Sequence, residues 1–255
     1  MPGLLHGPSA PTGRFAVFPP PPRVRVVPGS VAVGYLDSGT WSACFGLSYR
    51  DLLLADLSGA RRVTGAELRV VVGSGDIPAG RNLICRQFLA TDAEWLWMVD
   101  SDMGFAADTV DKLVAAADPV RRPVMGALCF GLGHSGQGPF HSLRYEIRPA
   151  LYTGDVVRGY RVVPDYPRGR VVEVAATGAA CLLIHRDVLL AIQERHGPVW
   201  FEVATTATGT LSEDLSFCTR LADIGVSPHV HTGVKTTHDK HGVYLDEQTY
   251  DSSRR

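Results

Sequence analysis

Short continuous apolar runs alternate along most of the chain with segments in which apolar residues recur every three or four positions. That alternation predicts buried strands separated by amphipathic helices. Val31 to Leu36 reads as a first buried strand, and the stretch from about Ser42 to Leu57, with Phe45, Leu52 and Leu53, as the helix after it. Leu68 to Val72 predicts a second strand, Gly73-Ser74-Gly75-Asp76 a turn, and Ala79 to Ala90 a helix with Leu83, Ile84, Phe88 and Leu89 on one face. Trp95 to Val99 is a third strand, ending at Asp100. Asp108 stands where it can cap the next helix, whose Val110, Leu113, Val114 and Ala117 keep the i, i+3, i+4, i+7 spacing until Pro119 and Pro123 close it. Val124 to Phe130 predicts a fourth strand. From Gly131 to Gly169 glycines, prolines and aromatic residues break any period, which predicts irregular hairpins. Regular runs return at Val171 to Ala175 and Ala180 to Ile184, followed by a helix near Asp187 to Arg195. A last clear helix starts at Ser212 and stops at Gly225, a residue suited to left-handed termination.

This order of elements predicts an α/β fold with a central, mostly parallel sheet flanked by helices. With 255 residues the chain is long enough for one sizeable core. Residues 1 to 29 hold eight of the 17 prolines, including Pro19 to Pro22, and favour an extended arm. The expected division is therefore an N-terminal arm over 1–29, one domain over 30–245 and a C-terminal tail over 246–255. A formal net charge of -1, from 25 Lys+Arg against 26 Asp+Glu, supplies no broad positive field for nucleic acid or an anionic lipid surface. Five cysteines, Cys44, Cys85, Cys129, Cys181 and Cys218, are odd in number, widely spaced and set in apolar runs, which predicts buried free thiols in a reducing compartment. Met1 to Ala10 shows no basic stretch followed by an apolar one, and no window reaches the roughly 18 apolar residues of a membrane span. A cytoplasmic protein is expected.

The stretch with most chemistry is Trp95-Leu-Trp-Met-Val-Asp100-Ser-Asp102-Met-Gly-Phe105. A buried strand delivers two carboxylates at its C-terminal end, where open α/β sheets place their ligands. Carboxylate oxygens are hard donors suited to Mg²⁺ or Mn²⁺ and leave coordination positions free for a diphosphate. An isolated Asp-x-Asp is more often a loop whose side chains satisfy turn amides; the apolar strand before it is what favours a ligand site. A second acidic pair, Glu213-Asp214, follows Ser212 and precedes Leu215, Phe217 and Cys218. Ser212 reads as a helix cap, so the helix dipole explains both acids, and a carboxylate on a rigid helix end can also serve as a general base. Among His229, His231, His238 and His241, the residue at the exit of a short strand, His238, is the candidate metal ligand.

In this order the blocks resemble the GT-A glycosyltransferases, in particular the family 2-like enzymes of bacteria and their phages. Gly80-Arg81-Asn82-Leu83 resembles the family's helix start ahead of the metal strand, and Val99-Asp100-Ser101-Asp102 its DxD motif. Ala176-Thr177-Gly178-Ala179-Ala180-Cys181-Leu182-Leu183-Ile184-His185-Arg186 is similar to its GTGxxLIRR strand. Trp200-Phe201-Glu202 with Ser212 to Cys218 is similar to its acceptor segment. The likeness covers about residues 30 to 240 and implies a Rossmann-like GT-A domain with an irregular acceptor-side subregion. It implies a hexosyltransferase-type enzyme taking a nucleotide-diphosphate sugar, with UDP or GDP as carrier, to a hydroxyl-bearing acceptor that is a protein, a glycan or a small molecule. Mn²⁺ or Mg²⁺ would be held by Asp100, Asp102 and His238. Tyr35, Leu36, Asp37, Arg81, Asp100 and Ser101 would bind the nucleotide, and Asp214 beside Glu213 would be the catalytic base. The Gly34-to-Gly39 loop lacks the proline-and-asparagine pattern of many members. The location implied is the cytoplasm, that of the host if the chain is phage-encoded, and a homo-oligomer is compatible with all of this.

An oxocarbenium-like donor with charge growing on its departing diphosphate suits a metal aimed at that charge. If Asp214 faces the acceptor hydroxyl across the anomeric carbon, a single displacement inverts configuration. A retaining transferase of the same fold is the first alternative, and a non-catalytic module holding a sugar nucleotide or glycan the second. A haloacid-dehalogenase-like phosphatase also places Asp-x-Asp after a strand, but expects Gly-Thr or Thr-Val next, where this chain has Met103-Gly104-Phe105. Acceptor choice is expected in Gly131–Gly169 and in the Ala204–Leu211 loop.

Overall fold

Apolar strands too short to cover themselves need helices on both faces, and the chain builds that arrangement. The computed structural model describes residues 24–71, 76–135, 144–206 and 209–255. Most of the proline-rich arm, the expected turn at Gly73 to Gly75 and the centre of the Ala204–Leu211 loop lie outside the described residues. In chain order the elements are β1 (Val27–Asp37), α1 (Ala43–Ser58), β2 (Val63–Val71), α2 (Ile77–Leu89), β3 (Ala93–Val99), β4 (Met103–Phe105), α3 (Thr109–Ala116), β5 (Val124–Leu128), β6 (Phe130–Ser135), β7 (Arg144–Pro149), β8 (Leu151–Asp155), β9 (Gly159–Val162), β10 (Val171–Glu173), β11 (Ala176–Thr177), β12 (Cys181–His185), α4 (Arg186–His196), β13 (Ala204–Thr206), β14 (Gly209–Leu211), α5 (Glu213–Asp223), β15 (His229–Lys240), β16 (Val243–Leu245) and α6 (Glu247–Ser253).

The main sheet runs β10-β15-β5-β12-β3-β1-β2. Strands β1, β2, β3, β5 and β15 point one way, while β12 and the edge strand β10 run against their neighbours. The sheet is therefore mostly parallel, with one antiparallel strand inserted at its centre. On one face α2, α4 and α5 bring Ile84, Phe88, Leu189, Ile192, Phe217 and Leu221 to the core; on the other α1 and α3 bring Phe45, Tyr49, Leu52, Val110 and Leu113. The helix starts follow capping chemistry: Ser42 accepts from the Phe45 N–H, Asp76 from Ala79 and Ser212 from Leu215. Gly225, at φ +73, ends α5 in the left-handed region.

Several expectations need correction. Asp108 stands at the start of α3 but makes no cap bond. Its backbone is not extended there, and its carboxylate pairs with Lys112 at 2.8 Å instead. The Gly131–Gly169 region contains regular pairings, β6 with β7 and β8 with β9. Glycines that break the hydrophobic period sit at positive φ where the second pair turns, at Gly154 and Gly159. The first strand starts at Val27, inside the expected arm. The expected tail is helix α6, opened by a capping box between Asp246 and Thr249 and anchored by buried Tyr250. All five cysteines are free, and all but Cys44 are buried. Among the described residues no helix is long and apolar enough to cross a membrane.

Candidate active site

β3 ends at Val99, and Asp100-Ser101-Asp102 makes the turn into β4. Met103 N–H closes the turn on Asp100 O at 3.0 Å, and three backbone bonds pin it to other segments: Asp100 N–H donates to Ala180 O at 3.0 Å, Ser42 N–H to Ser101 O at 3.1 Å and Asp239 N–H to Asp102 O at 2.8 Å. The start of α1, the chain entering β12 and the strand β15 thus all meet at this turn. Its two carboxylates go to different partners.

Asp100 turns to Arg81, whose Nη2 donates to both carboxylate oxygens at 3.1 and 3.2 Å. Arg81 is only 3% exposed and comes from the first turns of α2. Its Nη1 donates to Asp214 and, at 3.3 Å, to Glu213. One guanidinium therefore joins the acidic pair after β3 to the acidic pair that opens α5. Desolvation works against its charge, but Asp214, Asp100 and Glu213 outweigh it and hold Arg81 protonated. The Phe201 ring lies 5.7 Å beneath the guanidinium. Burial pushes the Asp214 carboxyl above the usual carboxylate range, and the charges of Glu213 and Asp100 add to this while Arg81 opposes it. Asp214 Oδ1 is on Arg81, and Oδ2 lies beside Gly178, where an added Cβ would stand 3.5 Å away.

Asp102 turns to β15. His238 Nε2 lies 3.1 Å and Lys240 Nζ 2.9 Å from Asp102 Oδ2. A carbonyl can only accept, so His238 Nδ1, at 2.9 Å, donates its N–H to Phe130 O and leaves Nε2 facing the carboxylate. Burial would raise the Asp102 carboxyl, but the hydrogen bond and charge of His238, then those of Lys240, hold it down at about 2. Asp102 Oδ1 is buried with no hydrogen-bond partner.

At the C-terminal end of β1, a depression of about 420 Å³ is lined by Tyr35, Asp37, Gly39, Trp41 and Arg69. Gly39 N–H donates to Asp37 at 2.7 Å, and this bond, ahead of the opposing burial and the Arg69 ion pair, lowers the Asp37 carboxyl. A hollow of about 780 Å³ is lined by Cys44, Gly104, Thr237, Glu247 and Asp251, but these two acids are already paired with Lys235 and Arg168.

No family model matches the chain, and no curated protein matches it. Solved structures do, A197 from STIV and GalNAc-T7 among them. A197 from STIV superposes with a TM-score of 0.53 at 15% identity, over 86% of this chain and 91% of that one. GalNAc-T7, solved with UDP, GalNAc and Mn²⁺, gives 0.54 at 12% identity over 84% of this chain; the chain spans 44% of the length of that one. The fold is GT-A-like. At such identities the likeness speaks for the architecture alone.

The sequence-based candidates are brought together in part. Asp100, Glu213 and Asp214 share Arg81, and Asp102 meets His238. The expected cluster of Asp100, Asp102 and His238 is not assembled, because Arg81 draws Asp100 away; among the described residues no group of three or more His, Cys, Asp or Glu side chains could hold a metal. Arg81, expected beside a nucleotide, spends its guanidinium on the three carboxylates. Leu36 is packed in the core, so its side chain is not open to a ligand, and Ser101 contributes the carbonyl that receives Ser42. His238 does not follow a strand exit, since β15 continues to Lys240. The Trp200-Phe201 block is fully buried and serves as scaffold: Asn82 Oδ1 accepts from the N–H groups of both at 2.8 and 2.9 Å, and its Nδ2 donates to Phe201 O at 2.7 Å. Arg186 likewise caps the end of α2 by donating to the carbonyls of Phe88, Leu89, Thr91 and Ala93.

Sequence reasoning missed Lys240. Residues two apart on a strand face the same side, so Lys240 beside His238 was within reach of a period-two reading. It also missed Arg69, which sits on β2 in register with Tyr35.

Proposed function

We propose that this chain is a metal-dependent glycosyltransferase that moves a sugar from a UDP- or GDP-sugar to a hydroxyl acceptor, with inversion and with Asp214 as general base. The observation that carries the reading is the convergence of Asp100 with the Glu213-Asp214 pair on Arg81, with Asp102 of the same turn opposite His238. Asp102 and His238 offer two donors suited to a divalent ion, the rest of whose shell would come from outside the protein: a buried carboxylate oxygen without a partner, and an imidazole whose Nδ1–H is fixed so that Nε2 is turned toward the carboxylate. Asp102 and His238 would hold Mn²⁺ or Mg²⁺, with the remaining positions left to diphosphate oxygens. The ion would supply neutralisation of the charge that grows on the departing diphosphate. The nucleoside would enter the Tyr35, Asp37, Trp41 and Arg69 depression, with Asp100 and Ser101 on its path to the turn. Arg81 Nη1 holds Asp214 Oδ1, and a backbone hydrogen bond from Ala179 also orients this carboxylate, which would take the acceptor proton. A carboxyl raised above its usual range is better matched to that task at neutral pH. The UDP and Mn²⁺ in the GalNAc-T7 structure favour the same donor chemistry on this fold.

Isothermal titration with UDP- and GDP-sugars, with and without Mn²⁺, tests the reading; no metal-dependent binding in any combination removes it. Asp214→Asn is expected to lower turnover by about 10²-fold to 10⁴-fold, the usual worth of a general base, with donor binding preserved. Asp102→Asn is expected to weaken the metal-dependent part of binding. Equal loss of binding in both variants contradicts the assigned roles.

A further inference from the structure

Lys240 brings a full positive charge to the carboxylate that a divalent ion would need. Its Nζ lies 2.9 Å from Asp102 Oδ2, the same oxygen that His238 Nε2 faces at 3.1 Å. An ammonium and a divalent ion cannot share one carboxylate oxygen without strong repulsion. An ion held between Oδ2 and His238 Nε2, the oxygen and imidazole that already face each other, therefore favours departure of one of the groups around Asp102. His238 is fixed by its bond to Phe130 O at 2.9 Å. The turn itself is fixed by the Asp239 N–H bond to Asp102 O, and the end of β15 by the pairing of Lys240 with Val243. The Lys240 side chain is 39% exposed on a four-carbon stem, and it alone is free to swing.

We propose that Lys240 is a resident cation that holds the place of the divalent ion at Asp102, yields it when the ion arrives, and carries its own charge onto the donor's diphosphate. The proposal rests on the reading of Asp102 and His238 as metal ligands. While the ion is absent, the ammonium neutralises Asp102 but covers only Oδ2, and Oδ1 stays buried without a partner. An ion satisfies what the ammonium cannot, so the exchange has a driving force. The displaced ammonium stays tethered to β15 two residues beyond His238, close to wherever phosphate oxygens complete the ion's shell. Its new partner is an anion that arrives together with the ion, which couples metal binding to diphosphate binding.

The test is binding of Mn²⁺ alone to the full chain, read from the electron paramagnetic resonance signal of free Mn²⁺, in wild type, Lys240→Met and Lys240→Arg. Lys240→Met should bind Mn²⁺ about fivefold more tightly than wild type, the scale of one partly exposed ion pair removed, while Lys240→Arg stays near wild type. With Mn²⁺ saturating, UDP and GDP serve as probes, and the nucleotide that binds wild type should bind Lys240→Met about fivefold more weakly. Asp102→Asn added to Lys240→Met should abolish the gain, which ties the ion to this carboxylate. Unchanged or weaker Mn²⁺ binding in Lys240→Met, a gain that survives Asp102→Asn, or unaltered nucleotide affinity each overturns the proposal. None of these measurements uses turnover, so a chain that shows the full pattern and transfers no sugar sinks the glycosyltransferase reading and leaves the cation exchange standing.

Discussion

Arg81 carries a permanent charge with 3% of its surface exposed, and it survives there because Asp100, Glu213 and Asp214 surround it. Removing it leaves three carboxylates facing one another across a poorly solvated gap. Arg81→Met is therefore expected to lose about 3 kcal/mol in urea unfolding, toward the lower end for a broken buried pair because the carboxylates keep some contact with water. Arg81→Lys, which keeps the charge and loses the fork, should fall between. The same change has a pH signature. Asp214 works as a base only when ionised, so activity rises with pH through its folded pKa. Burial, Glu213 and Asp100 push that pKa up and Arg81 pulls it down. In Arg81→Met the pull is gone, and the acid limb of residual kcat/KM should move to higher pH; a move to lower pH would show that Asp214 is not the group being titrated. At this scale the sequence could single out Asp100, Asp102, Glu213, Asp214 and His238 as candidates and could not say where they point. Asp100 and Asp102 are one residue apart, yet one is on α2's arginine and the other on β15, a divergence set by the three backbone bonds that pin the turn.

The elements that carry those side chains depend on close approach. Gly34, in the middle of β1, lies directly under α2: an added Cβ would stand 2.5 Å from Ile84 Cγ2 and 3.1 Å from Leu96 Cδ1. Neither neighbour can give way easily, since both are fully buried. Gly34→Ala should therefore lift α2 from the sheet and lose roughly 1–3 kcal/mol in urea unfolding, the usual cost of overpacking. Ile84→Ala introduced with it removes the clashing methyl, so the double variant should lose less than the two single losses added; simple additivity would mean that the clash is not the cause. Helices α1 and α2 were legible from their spaced apolar residues, and α5 from Ser212 at its start and Gly225 at its end. The direction of β12 was not. Cys181 to His185 is an apolar run with all five positions buried, and such a run carries no mark of which way it crosses the sheet. Helix α6 escaped notice because one buried residue pair, Glu247 and Tyr250, docks it, too little to set up a period.

Seen across the whole molecule, the groups assigned to donor and metal come from Tyr35, Asp37, Arg69, Asp100, Asp102, His238 and Lys240, spread from the first strand to the last long one. The order of blocks along the chain made the architecture readable, and the resemblance already implied that Asp102 and His238 meet, whereas the meeting of Asp102 with Lys240, 138 positions away, became visible only once β15 was seen beside β4. This spread has a thermodynamic consequence. A ligand that bridges such distant segments binds only the fully folded chain, so its binding energy adds to global stability. At a ligand concentration of about 100 times Kd the gain is about 2.7 kcal/mol. For a chain of this length that corresponds to a rise in Tm of roughly 5–10 °C. Mn²⁺ together with UDP or GDP, whichever is the carrier, should raise Tm by that amount, and by more than the separate shifts from metal and nucleotide added together. Asp102→Asn should remove the part of the shift that needs Mn²⁺, and differential scanning calorimetry can read both effects. A shift that is the same with and without Mn²⁺, or that Asp102→Asn leaves intact, would separate the nucleotide from the turn after β3 and leave Asp102 and His238 as an ordinary ion pair.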